Sequence, residues 1–219
     1  MRHLAGVFLA FHLVTLIASA ASVEASRKER GRQREILDRP ERQTERLKRV
    51  MVPLLRAADH PLPLEQIRVA VVDEPEINAA SAGNGQFYVT TGLLRLANDD
   101  QLRGVLAHEI AHEDLGHPMK AQLLGTGVGM GAALLEQIFP GSGAVAPIAG
   151  TLITGHYSRP MELAADRHAV KLLQRAGYSK ATMMNSLTWL LRQHGDSGGG
   201  IFATHPATSE RIDALLKLR

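Results

Sequence analysis

Hydrophobic residues in the middle of the chain recur at helical spacing. Between residues 98 and 118, apolar side chains return every three or four positions, at Leu102, Val105, Leu106 and Ile110. This spacing predicts a helix with one buried face. Asn98 and the polar residues after it are typical of a helix start, and Gly116 and Pro118 are typical of a helix end.

Upstream of this helix, the pattern changes to short stretches that predict strands. Residues 66–72 are rich in Ile and Val, which favours a strand. Residues 77–82 and 86–90 flank Gly83-Asn84-Gly85, and Asn-Gly in such a position is a strong hairpin signal. The helices and strands together predict an α+β fold that is mostly helical, built around a small sheet.

The helix over residues 98–118 carries the sequence His-Glu-Ile-Ala-His at residues 108–112. His108 and His112 are one turn apart, so both project from the same face. Two imidazoles in this arrangement can bind one zinc ion at about 2.0–2.1 Å each. Glu109 is adjacent and can act as general base on a water molecule at the metal. The motif predicts a zinc-dependent hydrolase; the alternative is an amphipathic helix with surface histidines.

A catalytic zinc ion usually has three protein ligands and one open position. In one subclass of such enzymes the third ligand is a His six residues after the second, but Pro118 occupies that position here. His117 would lie about 140° from His112 around a continuous helix. We therefore interpret His117 as a helix-end residue and expect the third ligand from another segment.

Residues 158–177 offer that segment. They begin with Ser-Arg-Pro and end with Gly, which predicts a helix. Glu162 and Asp166 share one face of this helix, and the face continues into apolar surface. We expect it to pack against the helix of His108, with Glu162 on zinc and Asp166 accepting an N–H from His108. The alternative is an exposed carboxylate pair beside basic residues.

Four segments of the chain resemble one known family. These are INAASAGNGQFYVTTGLL at 77–94, HEIAH at 108–112, YSRPMELAAD at 157–166 and THPATSERI at 204–212. They are similar to the HtpX/CAAX prenyl endopeptidase family of gluzincin metallopeptidases, and in particular to its soluble periplasmic BepA/LoiP-like branch. The long hydrophobic helices of the membrane-embedded members are missing from this sequence, which favours that branch and a minimal catalytic domain.

The resemblance implies a zincin-like metallopeptidase domain whose small sheet packs on the HExxH helix. It implies one Zn²⁺ per chain, bound by His108, His112 and Glu162, with Glu109 as catalytic base. It also places His205 near the metal, where it would stabilise the tetrahedral intermediate or fill the open position. The alternative for His205 is a cap of the last helix.

The resemblance further implies how substrate binds. In gluzincins, the edge strand beside the zinc helix pairs with an extended substrate through main-chain hydrogen bonds. Here that role would fall to residues 77–81, with Asn78 and Ala79 touching the substrate backbone. The alternative for Asn78 is ordinary hydrogen bonding at the end of a strand.

Downstream, residues 181–193 and 207–218 predict two more helices. The Gly-rich loop at residues 196–200 directly precedes His205, which makes it a candidate gate to the site. Residues 121–155 are rich in Gly and Ala. They predict close helix packing or a cover over the cleft, and the alternative is peripheral membrane contact.

The N-terminus has the pattern of a secretory signal peptide. Residues 4–18 are almost wholly apolar, follow Arg2 and lead into Ala18-Ser19-Ala20, which predicts cleavage after residue 20, or as late as residue 25. An uncleaved anchor is the alternative, but the apolar run is short for a membrane span. We expect export to the periplasm or secretion. The chain has no Cys, so it is not expected to be a lipoprotein.

Residues 26–60 predict a basic N-terminal helical arm, followed by the catalytic domain at residues 61–219. Residues 26–49 hold ten Lys or Arg against five Asp or Glu. Such a stretch can contact nucleic acid or anionic lipid. We expect a solvated helix instead, because its apolar stripe is thin, and we expect no nucleic acid partner, because the arm has no aromatic residues for base stacking.

The function predicted from these features is a zinc metalloendopeptidase that cleaves unfolded or misfolded polypeptides in the cell envelope. Protein quality control and envelope substrates are implied by the resemblance alone. Two alternatives remain: a zinc-binding chaperone or adaptor of the same fold without turnover, and a zinc hydrolase with a different substrate.

Overall fold

The computed structural model of the protein describes residues 22–28, 40–123, 157–194, 200–206 and 209–218. In chain order, its main elements are α1 (Pro40–Arg56), β1 (Arg68–Val72), β2 (Ala79–Gly83), β3 (Gln86–Thr90), α2 (Thr91–Leu96), α3 (Asp99–Asp114), α4 (His117–Leu123), α5 (Arg159–Arg175), α6 (Lys180–His194) and α7 (Ser209–Lys217). Residues 22–28 are also helical. The chain divides into two compact units, residues 1–43 and residues 44–219, and the second holds the elements from α1 onward except the start of α1. The prediction of a mostly helical α+β fold is confirmed.

The sheet has three strands in the order β1-β3-β2. β1 runs parallel to β3, whereas β2 runs antiparallel to it, with Ala80 opposite Tyr88. The predicted hairpin joins β2 and β3. Asn84 has a φ of 55° between Gly83 and Gly85, which also have positive φ; Asn and Gly tolerate this left-handed conformation best. The hairpin leaves β2 as the edge strand that packs on α3.

Helix α3 is the centre of the domain, because β2, α5 and α6 all pack against it. Its predicted start is confirmed: the Asn98 side chain accepts a hydrogen bond from the Gln101 N–H, and the Gln101 side chain accepts one from the Asn98 N–H. Gly104 lets α6 approach closely, since a β-carbon there would lie 2.4 Å from Ser186 Cβ. The hydrophobic core is continuous around α3.

Helix α1 corrects the expectation of a solvated helix. Its apolar side chains recur at helical spacing and are buried in the core, at Leu47, Val50, Met51, Leu54 and Leu55. Arg46 is also buried and donates hydrogen bonds to the carbonyl groups of Leu94 and Ala97, at 2.5 and 2.6 Å. The buried face is wider than the thin apolar stripe expected from the sequence, because Met51, Leu54 and Leu55 extend it beyond Leu47 and Val50. This packing lies on the N-terminal side of the predicted domain boundary at residues 60 and 61.

Several sequence predictions lie outside the described residues. They concern the signal peptide at residues 1–20, the arm at residues 29–39, most of the Gly-rich segment and the loop at residues 196–199. Among the described residues, no helix is both long enough and apolar enough to cross a membrane.

Candidate metal centre and active site

The HEIAH motif and the predicted carboxylate helix meet in the structure. His108 and His112 lie on α3, and Glu162 lies near the start of α5, which begins with the predicted Ser158 and Pro160. All three side chains of this group are buried. The alternatives of surface histidines and of an exposed carboxylate pair are therefore wrong.

Four side chains converge on one point between these helices. His108, His112, Glu162 and His205 each offer one nitrogen or oxygen atom, and these four atoms all lie within 4.8 Å of one another. The Nε2 atoms of His108 and His112 are 3.1 Å apart, and each lies 3.3 Å from a Glu162 oxygen. Imidazole nitrogen and carboxylate oxygen are typical zinc ligands. We call this group the four-residue cluster; it fits a zinc ion by the chemistry of its donors.

His205 belongs to the four-residue cluster, so its side chain is not used to cap α7. Its Nδ1 lies 3.1 Å from Glu162 Oε1 and 3.3 Å from His108 Nε2. The preceding 3₁₀ turn holds it there, because the His205 N–H donates to the Ile201 carbonyl at 2.9 Å. Its Nε2 is buried without a hydrogen-bond partner among the described residues.

Glu109 lies beside the cluster, and its two oxygens have different surroundings. Oε2 accepts a hydrogen bond from the Ser81 N–H of β2 at 3.2 Å. Oε1 is buried without a hydrogen-bond partner among the described residues and lies 3.6 Å from His205 Nε2. Burial raises the pKa of Glu109, against the opposing effect of His205 and His108. The carboxylate is thus anchored through one oxygen only.

Asp166 lies behind His108, where the sequence places it. Its Oδ1 is 3.0 Å from His108 Nδ1. Arg211 of α7 donates to both oxygens of Asp166, at 2.7 and 2.8 Å, and its Nη1 lies 2.6 Å from Glu162 Oε2. Burial alone would raise the pKa of Asp166, but Arg211 and His108 hold it below its usual value.

The same charges set the protonation of the cluster in the absence of a metal ion. Burial would raise the pKa of Glu162, but His205 and His108 hold it well below its usual value. Burial opposes protonation of His108, yet Glu162 and Asp166 raise its pKa to about 9. Burial lowers the pKa of His112 well below its usual value. His108 thus has charged partners that favour its protonated form, whereas burial favours the neutral form of His112.

Sequence reasoning gave no role to Arg211, although it lies in the segment 204–212 that carried the family resemblance. The sequence does contain an indication that Arg211 is buried beside the site. Arg211 precedes Leu215 by one helical turn, so it lies on the buried face of α7. A basic residue on a buried face needs an acidic partner, and Glu162 and Asp166 were the predicted buried carboxylates.

His117 lies at a helix end, as interpreted, but the expectation that it faces away from His112 is wrong. His117 is buried, and its Nδ1 lies 3.0 Å from His112 Nδ1. Gly116 has a φ of 64°, so α3 ends and the chain turns before α4 begins. The relation of about 140° holds only for a continuous helix. Burial lowers the pKa of His117 to about 4, with Lys120 adding to the effect.

Glu113 is a second residue that sequence reasoning missed. It accepts hydrogen bonds from the Ser81 hydroxyl and, at 2.8 Å, from the Gly85 N–H. It thereby fixes the β2–β3 hairpin against α3, next to Glu109. The signal was its spacing, since Glu113 follows Glu109 by one helical turn and shares its face.

Asn78 and Ala79, the predicted substrate contacts, lie at the start of β2. The Asn78 N–H donates to Thr90 Oγ1 and its carbonyl accepts from the Thr90 N–H, both at 3.0 Å. This is the strand-end hydrogen bonding proposed as the alternative. The Asn78 Oδ1 is buried without a hydrogen-bond partner among the described residues. Ala79 is fully buried and lies opposite Val89 of β3. Their contact with substrate stays a prediction.

Comparison of the sequence with those of known proteins identifies the family to which the chain belongs. The sequence model of Peptidase family M48 matches residues 41–219. The chain is 30% identical to metalloprotease YcaL of Escherichia coli (strain K12) in an alignment of 148 residues that covers 64% of this chain and 57% of YcaL. It is 29% identical to metalloprotease LoiP of the same organism, over 64% of this chain and 58% of LoiP. A protease HtpX homolog of Burkholderia thailandensis is 28% identical, over 78% of this chain and 73% of that protein. The chain thus spans under three fifths of the length of YcaL and of LoiP.

The resemblance seen in the sequence motifs is confirmed: the chain belongs to peptidase family M48.

Proposed function

We propose that the chain is a zinc-dependent endopeptidase that cleaves unfolded or misfolded polypeptides in the cell envelope. One observation carries this proposal: Oε1 of the buried Glu109 carboxylate has no hydrogen-bond partner among the described residues and lies 3.6 Å from His205 of the four-residue cluster, in which the ligand atoms of His108, His112 and Glu162 converge. Membership of peptidase family M48 and the protease names of its relatives support it.

His108, His112 and Glu162 would hold the zinc ion. The metal would lower the pKa of a water molecule to about 7 and polarise a substrate carbonyl. Asp166 would keep the proton of His108 on Nδ1, because its carboxylate lies 3.0 Å from that atom and a ligand histidine needs its other nitrogen free. Arg211 would balance the charge of Asp166 and Glu162, which it contacts at 2.6–2.8 Å.

Glu109 would move the proton during hydrolysis. The Ser81 N–H holds Oε2, so the unpartnered Oε1 is the atom that would take a proton from the attacking water. The same oxygen would then deliver the proton to the nitrogen of the leaving amine. Anchoring one oxygen and leaving the other free keeps the base in one orientation through both transfers.

Strand β2 supports an extended polypeptide as the substrate. It is an edge strand of the sheet, and Ser81 on it bonds directly to Glu109. A substrate segment added along this edge would pass the general base with its backbone extended, which requires an unfolded region. Export to the periplasm is part of the proposal and is supported by the signal-peptide pattern of residues 1–20.

Cleavage of casein by the purified protein tests the proposal. Wild type is compared with Glu109→Gln, after zinc content has been measured in both. Glu45→Gln, an exposed Glu paired with Lys48 on α1, is the matched control. We expect Glu109→Gln to lose at least about 100-fold in rate, as loss of a general base typically does, while Glu45→Gln keeps full activity. Equal cleavage by Glu109→Gln and wild type, both with zinc, would contradict the proposal.

A chaperone or adaptor without turnover is the second candidate, and the position of His205 favours it. Its Nδ1 lies among the same ligand atoms as Glu162 and His108, so it can take the fourth position on zinc. If this second candidate is right, the protein does not cleave casein. Wild type and Glu109→Gln then suppress the aggregation of an unfolded protein equally well. His205→Ala separates the two candidates, because a peptidase blocked by His205 would gain activity from this change.

A further inference from the structure

The rear of His112 is the least expected part of the centre. Its ring is fully buried. It packs against the Tyr157 ring, with centroids 4.0 Å apart and planes tilted by 32°. Its Nε2 faces Glu162 Oε1 at 3.3 Å, and its Nδ1 faces His117 Nδ1 at 3.0 Å. His112 therefore has one nitrogen toward the four-residue cluster and the other toward a second imidazole.

The chemistry of imidazole restricts where the protons lie. A neutral imidazole has one N–H and one bare nitrogen, and a metal takes the bare one. If Nε2 of His112 is the zinc ligand, its Nδ1 carries the proton. His117 Nδ1 then has to accept that proton as a hydrogen bond, and the His117 proton has to lie on its own Nε2.

We propose that His117 is a positioning residue that fixes the tautomer and the ring orientation of His112 for zinc binding. The inference rests on the zinc centre of the proposed function. His117 Nδ1 contacts the rear nitrogen of His112, Nδ1, and not the Nε2 atom that would bind zinc. It acts through His112, as Asp166 acts through His108.

The local backbone conformation positions His117 for its contact with His112. Gly116 adopts a φ of 64°, and His117 is the first residue of α4. The Lys120 N–H donates to the Gly116 carbonyl at 3.1 Å, which closes the first turn of α4. This turn brings His117 back to a residue that it would face away from on a continuous helix. The packing of Tyr157 on the His112 ring leaves the imidazole little freedom to rotate.

Zinc affinity of His117 variants tests the inference. His117→Phe keeps a ring and removes the acceptor, whereas His117→Asn keeps an acceptor oxygen two bonds from Cβ, as Nδ1 is in His. His168→Phe is the matched control, because His168 is a buried histidine that contacts Asp114 rather than the cluster. Competition with a chelator should show about 10–100-fold weaker zinc binding in His117→Phe, the usual effect of losing such a partner. We expect His117→Asn and His168→Phe to stay within about threefold of wild type.

Nitrogen-15 NMR of the histidine rings in the zinc-loaded protein gives a readout independent of activity. We expect the wild type to show His112 protonated at Nδ1, and His117 protonated at Nε2 and bare at Nδ1. A proton on His117 Nδ1, or unchanged zinc affinity in His117→Phe, would overturn the inference. If His117→Phe fails to fold, the wild-type tautomers still decide it. Zinc binding without casein cleavage in both wild type and His205→Ala would refute the peptidase alone, whereas wild type that binds no zinc would refute both proposals.

Discussion

His108 and His112 are one turn apart on the same helix, yet the protein supports them in opposite ways. Behind His108 lies a charged network, in which the Asp166 carboxylate is held by Arg211. Behind His112, the described residues place two neutral rings, those of His117 and Tyr157. We call these the charged side and the neutral side of the centre.

The two sides also differ in how the chain brings them together. The charged side joins α3, α5 and α7, and Arg211 is 103 residues from His108. The neutral contact of His117 is local, five residues from His112 across one turn at Gly116. The charged side therefore depends on the whole tertiary fold, whereas the contact of His117 depends on one backbone turn. Changes on the charged side should reduce global stability, and changes at His117 should mainly affect the metal.

Removing Arg211 should give the largest effect. Arg211→Met removes the guanidinium that pairs with Glu162 and Asp166, and both carboxylates are at most 2% exposed. Breaking a buried ion pair by removing one partner typically costs about 3–5 kcal/mol. We expect a loss of this size in the free energy of unfolding, measured in urea on the metal-free protein, because zinc would supply positive charge in place of the guanidinium.

Two further variants sharpen this result. The double variant Arg211→Met with Asp166→Asn should recover part of the stability, since one of the uncompensated charges is then gone. His117→Phe should cost much less than Arg211→Met in the same measurement, because no buried charge loses its partner. A loss below about 1 kcal/mol in Arg211→Met would mean that the charged side is not held by ion pairing.

Replacing Asp166 should have the next largest effect, on zinc affinity. Asp166→Asn removes the negative charge that lies 3.0 Å from His108 Nδ1. Charge-assisted hydrogen bonds are roughly twice as strong as neutral ones. We therefore expect Asp166→Asn to weaken zinc binding by about 100-fold, at the upper end of the range for such partners, and by more than His117→Phe does. Equal losses from the two variants in chelator competition would show that charge is not what distinguishes the two sides.

The parts of the site that sequence could predict are those encoded within one element. Helical spacing placed His108, His112 and Glu109 on one helix, and the start of α5 placed Glu162 and Asp166 on another. The hairpin at Asn84 followed from its turn residues. Each of these depends on neighbours within a few positions, so the sequence pattern was sufficient.

The residues that were missed depend on how elements meet or turn. Arg211 joins the site only because α7 packs against α5, and the sequence pattern shows that a face is buried without showing against what. His117 was misplaced because a single left-handed Gly changes the direction of the chain. Helix α1 was assigned to a solvated arm because its charged first half hid the apolar residues from Met51 to Leu55.

The turn at Gly116 offers the smallest and most local test of the comparison. Gly116→Ala forces a β-carbon into a φ of 64°, although nothing lies within 4 Å of that carbon. The strain should cost about 1–2 kcal/mol in the free energy of unfolding. Gly177, with a φ of 86° and equally open space, is the matched control on the far end of α5. We expect Gly177→Ala to lose similar stability, but only Gly116→Ala to weaken zinc binding as well, since only that turn positions His117. If both variants leave zinc affinity unchanged, the neutral side holds His112 without help from the turn, and the packing of Tyr157 would be sufficient.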